Sequence, residues 1–110
     1  MKCFNFFSKR KTLKLITGQV KIFEAGKALV IGAGNKFNSI TIQSHHTNDG
    51  IIYIGNIDVN SSNGMPIERG DTISLDAGED YLPTIYATSN ISSSIIHYFG
   101  IGEQNGNNTD

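Results

Sequence analysis

The chain is short of the residues that build helices. Ala, Leu, Lys and Glu are sparse, and no window long enough for a helix carries an apolar period of 3.6 residues. That argues against a parallel α/β fold, whose strands need crossover helices. The single cysteine, Cys3, excludes an intrachain disulfide. No apolar run approaches the length of a transmembrane helix, so no membrane span is expected. The apolar part of the opening segment is too short for a secretory signal, and Cys3 lacks the small-residue setting of a lipoprotein site. The sequons at Asn60, Asn90 and Asn107 are therefore expected to carry no glycan. Charged residues make up 17% and hydrophobic residues 38%, both low for a soluble enzyme. No Lys or Arg follows Arg69.

What fills the gap is Asn, Ser, Thr and Gly, with an apolar complement dominated by Ile. β-Branched side chains fit a pleated, half-buried surface better than a helix, and the 12 glycines imply many turns. A chain of 110 residues fits one domain. A domain this small buries only about two-thirds of its unfolded surface, so association with its own copies or a larger scaffold would add stability. Net charge is -1 but unevenly spread: Lys2, Lys9, Arg10, Lys11 and Lys14 crowd one end, while Asp71, Asp76, Glu79, Asp80, Glu103 and Asp110 follow later. The expected organisation is a basic arm over residues 1–11, a domain over 12–102, and a disordered tail over 103–110. Phe4, Phe6 and Phe7 give the arm an apolar side as well. Lys9, Arg10, Lys11 and Lys14 form either a solvated end or an arm that docks on an acidic partner.

Between these ends, short strand signals alternate with turn chemistry. Residues 13–16 and 19–24 read as a first pair about Gly18. Ala28 to Ile31 is a short apolar run closed by Gly32-Ala33-Gly34-Asn35. Phe37 to Gln43 alternates, with Ile40 and Ile42 on one face. Asn48-Asp49-Gly50 reads as a turn with positive φ. Ile51 to Ile54 is apolar on both faces, as a central strand would be. Asn63-Gly64 and Arg69-Gly70-Asp71 are turns; the second leads into Thr72 to Asp76, with Ile73 and Leu75 on one side. Thr84 to Thr88 and Ser94 to Phe99 complete about seven or eight strands, the spacing of a sandwich or barrel. There is no internal repeat.

Candidate chemistry is thin. Gly32-Ala33-Gly34 starts like a dinucleotide fingerprint, but the third glycine position holds Phe37 and the segment leads into a strand rather than a helix N-terminus. His45 and His46 are adjacent and read as part of a surface loop; in a strand such neighbours point apart, so a metal site with Asp49 and His97 requires the loop to fold back; no metal and no cofactor are expected. His97 reads as a half-buried strand residue. No serine lies in G-x-S-x-G, and Glu79-Asp80 reads as a solvated acidic loop rather than a glycosidase pair. Arg69-Gly70-Asp71, an adhesion tripeptide elsewhere, here occupies a tight turn. The strand aromatics Phe23, Phe37, Tyr53, Tyr86, Tyr98 and Phe99 have uncharged or acidic neighbours, which argues against a nucleic-acid partner.

One set of residues has a familiar frame. It runs Ser39-Ile40-Thr41-Ile42-Gln43, then Ile52-Tyr53-Ile54-Gly55-Asn56-Ile57-Asp58-Val59, then Ser61-Ser62-Asn63-Gly64-Met65-Pro66-Ile67, Gly70-Asp71-Thr72-Ile73-Ser74-Leu75, and Thr84-Ile85-Tyr86-Ala87-Thr88-Ser89. This resembles the small β-sandwich modules of tailed-bacteriophage virion proteins, which occur in decoration, fibre and tail-associated chains. The resemblance covers over half the chain. It departs from the pattern at Ile67, where Leu is common, at Gly70-Asp71, where Gly-Glu is common, and in the histidine pair; the basic leader lies outside the pattern.

Physical roles can be assigned to the frame directly. Gly55 ends a buried strand and permits a bend; Asp58 and Ser62 are placed to bond loop N–H groups. Asn63-Gly64 supplies positive φ, Pro66 stiffens the exit, and Gly70-Asp71 turns into the next strand. The fold expected is a small antiparallel β-sandwich, jelly-roll or Ig-like, with a basic N-terminal arm. The resemblance implies a non-enzymatic virion structural protein, assembled in a bacterial host's cytoplasm, that contacts capsid, neck or tail proteins and its own copies. The alternatives are a receptor- or carbohydrate-binding module at a fibre tip, using Tyr81 with Asp80, and a small histidine-based enzyme or metal protein.

Overall fold

The protein's structure, a computed structural model, describes residues 13–104. Eight strands follow one another: β1 (Lys14–Ile22), β2 (Leu29–Val30), β3 (Asn35–Ser44), β4 (Ile52–Gly55), β5 (Met65–Ile67), β6 (Thr72–Asp76), β7 (Tyr86–Ser89) and β8 (Ser94–Gln104). No helix occurs among the described residues. The strands form two four-stranded sheets, ordered β1-β8-β3-β6 and β2-β7-β4-β5. Every pairing is antiparallel. The chain is therefore one long ribbon doubled back at the β4–β5 hairpin. Its successive turns, β4–β5, β3–β6, β2–β7 and β1–β8, fall alternately in one sheet and the other.

The two sheets pack through the residues that alternate inward. Ile16 and Ile22 of β1, Ile40 and Ile42 of β3 and Ile96 of β8 meet Ile52 and Ile54 of β4, Ile67 of β5 and Ala87 of β7. Every buried member of the core except Phe37 and Ala87 is an isoleucine. Ile73 and Leu75 of β6 point in together, partly buried against the core, as their spacing predicts. Ile52 and Ile54 are buried in a strand flanked on both sides by β7 and β5, the central placement expected for this run.

Four expectations need correction. The segments around Gly18 are one unbroken strand, not a hairpin. Gly18 lies opposite Tyr98 on β8, and a Cβ there would collide with the Tyr98 phenol; glycine makes room for a ring rather than for a turn. Tyr98 in turn packs edge-on against Phe37, with centroids 6.0 Å apart. Met65–Ile67 is a strand despite Pro66. It is an edge strand, where a missing N–H breaks no central ladder. β8 extends beyond Phe99 to Gln104, so Glu103 and Gln104 belong to the domain, paired with Lys36 and Asn35; residues 105–110 lie outside the described residues. Finally, Gly50 is not at positive φ. Its Cβ would strike the Asn90 side chain, and close packing is what requires glycine there.

Side-chain amides close the gaps that the ladders leave. Asn38 is the extra residue of a bulge where β3 pairs with β8. Its Nδ2 donates to the Asp80 carbonyl at 2.9 Å, and its own carbonyl accepts from Ala77 N–H, tying down the 77–85 connection. Asn48, expected in a turn, is buried. Its Oδ1 accepts from Ile95 N–H at 2.9 Å and its Nδ2 donates to the Ile95 carbonyl at 2.8 Å. The amide thus continues the β3–β8 ladder one step past the end of β3. Nδ2 also donates to Ser44 Oγ. We expect Asn48→Ala, which strands the Ile95 N–H and leaves its carbonyl to His45 N–H alone, to cost about 1–3 kcal/mol, the penalty of one unmade buried hydrogen bond. Ile42→Ala should cost about 2–5 kcal/mol as a core cavity. Urea unfolding checks both, and a loss below about 1 kcal/mol at Asn48 would refute the ladder-extension role.

Candidate functional site: an outer sheet face and its loops

Residues paired across neighbouring strands share a face, so the registers lay out the outer surface of the β1-β8-β3-β6 sheet row by row. Leu15, Ile101, Ser39 and Asp76 make one row; Thr17, Phe99, Thr41 and Ser74 the next; Gln19, His97, Gln43 and Thr72 a third. The face is split. On the β1/β8 half, Leu15 is 66% exposed, Phe99 53% and Ile101 40%, with Leu13 at 49% just beyond the end of β1. The β3/β6 half is hydroxyls, amides and Asp76, with Thr41 and Ser74 hydrogen-bonded at 2.9 Å. Isolated exposed apolar residues are ordinary, whereas several large ones side by side on one sheet face make a candidate contact surface. The patch reaches β1, an edge strand of this sheet, whose outer backbone groups are unpaired in the ladder. Sequence reasoning missed this face. The signal was present: Leu13 with Leu15, and Phe99 with Ile101, put apolar residues on the same side of strands whose other side already carries the core.

The predicted loop set lies elsewhere. Gly55, Asp58, Ser62, Asn63 and Gly64 belong to β4 and the β4–β5 connection, with Pro66 in β5; Gly70 and Asp71 sit in the connection to β6. The residues that fix the first loop are not those expected. The side chains of Asp58 and Ser62 bond no backbone N–H; their own N–H groups instead donate to Asn56 Oδ1 and Asn60 Oδ1. Asn63 Oδ1 accepts from Asn60 N–H at 2.8 Å. Neither Asn63 nor Gly64 has positive φ. Gly64 is needed because a Cβ would press on Tyr53 and on Val59 at 2.7 Å. Gly55 likewise faces Val59 at the end of β4, and no bulge interrupts the register there. Gly70 does take positive φ, at 80°, and Asp71 Oδ2 accepts from Glu68 N–H, closing the turn into β6 as expected.

Of the basic set, Lys14 opens β1 and is exposed, while Lys9, Arg10 and Lys11 lie outside the described residues. Tyr81 is not displayed as a binding platform. It is half-buried, its hydroxyl donates to Glu103 Oε1 at 2.6 Å, and Lys36 Nζ stands 5.2 Å from its ring centre. Asp80 beside it and Glu79 are exposed. The Gly32-Ala33-Gly34 segment is a strand-to-strand turn, at the mouth of a cavity of about 320 Å³ that Tyr81 also lines.

The histidines do meet. His45 Nδ1 and His97 Nε2 are 2.7 Å apart, and the His46 ring lies 4.4 Å from that of His45. Strand pairing causes this: His45 N–H bonds the Ile95 carbonyl, which sets its ring beside His97 on the outer face. One ring must donate and the other accept, so the pair shares a proton. No three His, Cys, Asp or Glu groups among the described residues are placed to hold a metal. The pKa of His45 is lowered, first by its partial burial and then by the charges of His46 and His97. A histidine held neutral in the fold leaves stability intact above its unfolded pKa of about 6.5. Stability is then lost as pH falls toward the lower folded value, because the unfolded chain binds the proton first. The urea midpoint should therefore hold steady above about pH 7 and decline toward pH 5, and His45→Gln should flatten the decline. A wild-type midpoint that is level across this range would refute the assignment.

No protein-family model, no curated protein and no solved structure matches the chain.

Proposed function

We propose that this chain is a structural module of a tailed-phage virion, a jelly-roll β-sandwich that works by burying the β1/β8 outer face against particle proteins and its own copies. The strand order supports a jelly roll over an Ig-like sandwich, because an eight-stranded ribbon wound between two sheets is how a jelly roll is built. Jelly rolls host many functions, so the fold by itself argues little. The virion frame rests on the run of residues from Phe37 to Gly100 that resembles such modules. The observation that carries the contact role is the apolar cluster of Leu13, Leu15, Phe99 and Ile101. Burying such a surface contributes about 25 cal/mol per Å², and a sheet face already fixed by its ladders loses little ordering entropy on docking.

The test pairs wild type with a Leu15→Thr/Phe99→Thr double variant. Threonine keeps the strand propensity and removes the apolar surface. Both changes are exposed, so unfolding free energy should move by no more than about 1 kcal/mol. Wild-type chain should be found by mass spectrometry in purified particles of the encoding phage, and should self-associate in size-exclusion light scattering. The double variant should be monomeric and absent from particles. A wild-type chain that is monomeric and missing from particles sinks the reading.

A further inference from the structure

We infer that the opposite side of the molecule carries a binding groove for a neutral carbohydrate. The groove lies on the outer face of the β2-β7-β4-β5 sheet, encloses about 360 Å³, and is lined by Tyr53, Thr88, Asn60, Ser61 and Asn90 together with the Ala25-Gly26 turn. That volume is at the small end of the roughly 300–1,000 Å³ of ligand pockets, with room for a monosaccharide unit.

The register builds its floor. Tyr53 on β4 pairs with Thr88 on β7, and both point away from the core, because their neighbours Ile52, Ile54 and Ala87 point into it. An outward threonine on a two-layer sandwich is normally wet, yet Thr88 is only 2% exposed. Its hydroxyl is buried with no hydrogen-bond partner. The flanking connections rise around it: residues 60 and 61 on one side, 25 and 26 on the other.

Those walls are held rigid by bonds that leave donor groups unspent. Gly26 N–H donates to the Ser89 carbonyl. Asn90 Oδ1 accepts from Ile51 N–H, and its Nδ2 has no partner among the described residues. Asn60 Oδ1 accepts from Ser62 and Asn63 N–H groups, while its Nδ2 reaches only the Asp58 carbonyl, at 3.4 Å. A fixed loop with open donors is a preorganised site.

The lining selects the ligand class. It contains no Lys, Arg, His, Asp or Glu, so nothing offsets the desolvation of an ionic ligand. A peptide added as a strand needs an open ladder, and β4 and β7 are each paired on both sides. What remains is an aromatic ring flanked by amides and hydroxyls. That combination suits a sugar, whose C–H face packs on an aromatic ring while its hydroxyls bond both donors and acceptors.

The probes are glucose, galactose, mannose and N-acetylglucosamine as methyl glycosides, with glucuronic acid and N-acetylneuraminic acid as charged controls. Saturation-transfer NMR on the full chain should show transfer to at least one neutral glycoside and none to the charged sugars. In ¹⁵N spectra that glycoside should shift the amides of Tyr53, Asn60, Thr88 and Asn90. Ser61→Arg, an exposed change at the rim, should weaken binding at least tenfold by filling the groove. Thr88→Val, which keeps the shape of the side chain and removes the orphaned hydroxyl, should raise the urea midpoint of the free chain and weaken binding at least fivefold. The proposal is overturned if no neutral glycoside binds folded protein, if the charged sugars bind as well, or if either variant binds as tightly as wild type. These readouts do not depend on whether the chain is found in a particle.

Discussion

The layer of isoleucine between the two sheets is the constraint on which the remaining structure depends. Each sheet offers one face to it, so each strand must keep its side-chain alternation in phase with its neighbours. A slip of one residue would turn Ile40 and Ile42, or Ile52 and Ile54, to water and bring Thr41 or Tyr53 inward. Isoleucine adds to this specification because its branched Cβ has few rotamers and packs on a pleated surface without gaps.

The strand ends pose the opposite problem. A ribbon doubled back between two sheets has many connections, and each frees backbone groups that need partners. Charged side chains would satisfy only donors or only acceptors. A carboxamide offers both, and this chain uses it repeatedly: Asn48 takes both Ile95 groups, Asn38 pins the 77–85 connection, Asn90 caps Ile51, and Asn56, Asn60 and Asn63 brace one loop. The low charge and the high Asn content are thus two sides of one solution. Among the described residues, two buried side-chain atoms, Asn38 Oδ1 and Thr88 Oγ1, remain without a protein partner.

The parts of this that were legible in the sequence are those set by local periodicity. Thr72 to Asp76 is a strand with the boundaries its alternation gives, and the inward faces of Ile40, Ile42, Ile73 and Leu75 follow from spacing alone. What stayed hidden depends on partners distant in the chain. Gly18 reads as a turn until Tyr98 is set opposite it, and Asn48 reads as a turn residue until Ile95 is beside it. The contact between His45 and His97 spans 52 positions. Residues 56–64 connect β4 to β5, but the bonds that fix this loop are not the ones residue type suggests. Asn, Asp and Ser all bond backbone locally, and residue type alone does not say which of several neighbours makes the bond. The apolar outer face was missed for a different reason: the same residues suffice to explain a strand, and only the register reveals that they adjoin.

Strand length explains why the two outer faces differ. β1 and β8 form the outermost turn of the ribbon and run 9 and 11 residues. Paired along nearly all of that length, they present a continuous outer surface at the edge of their sheet. The other sheet carries the shortest strands, β2 with 2 residues and β5 with 3. The chain that is not in those strands goes into the connections beside them. Residues 25–26 and 60–61 rise from these connections around Tyr53 and Thr88 and make a concavity where a longer ladder would have made a plane. The same winding therefore yields an apolar surface on one side and a polar hollow on the other. A substitution on one side need not disturb the other, because the isoleucine layer that separates them is common to both and belongs to neither.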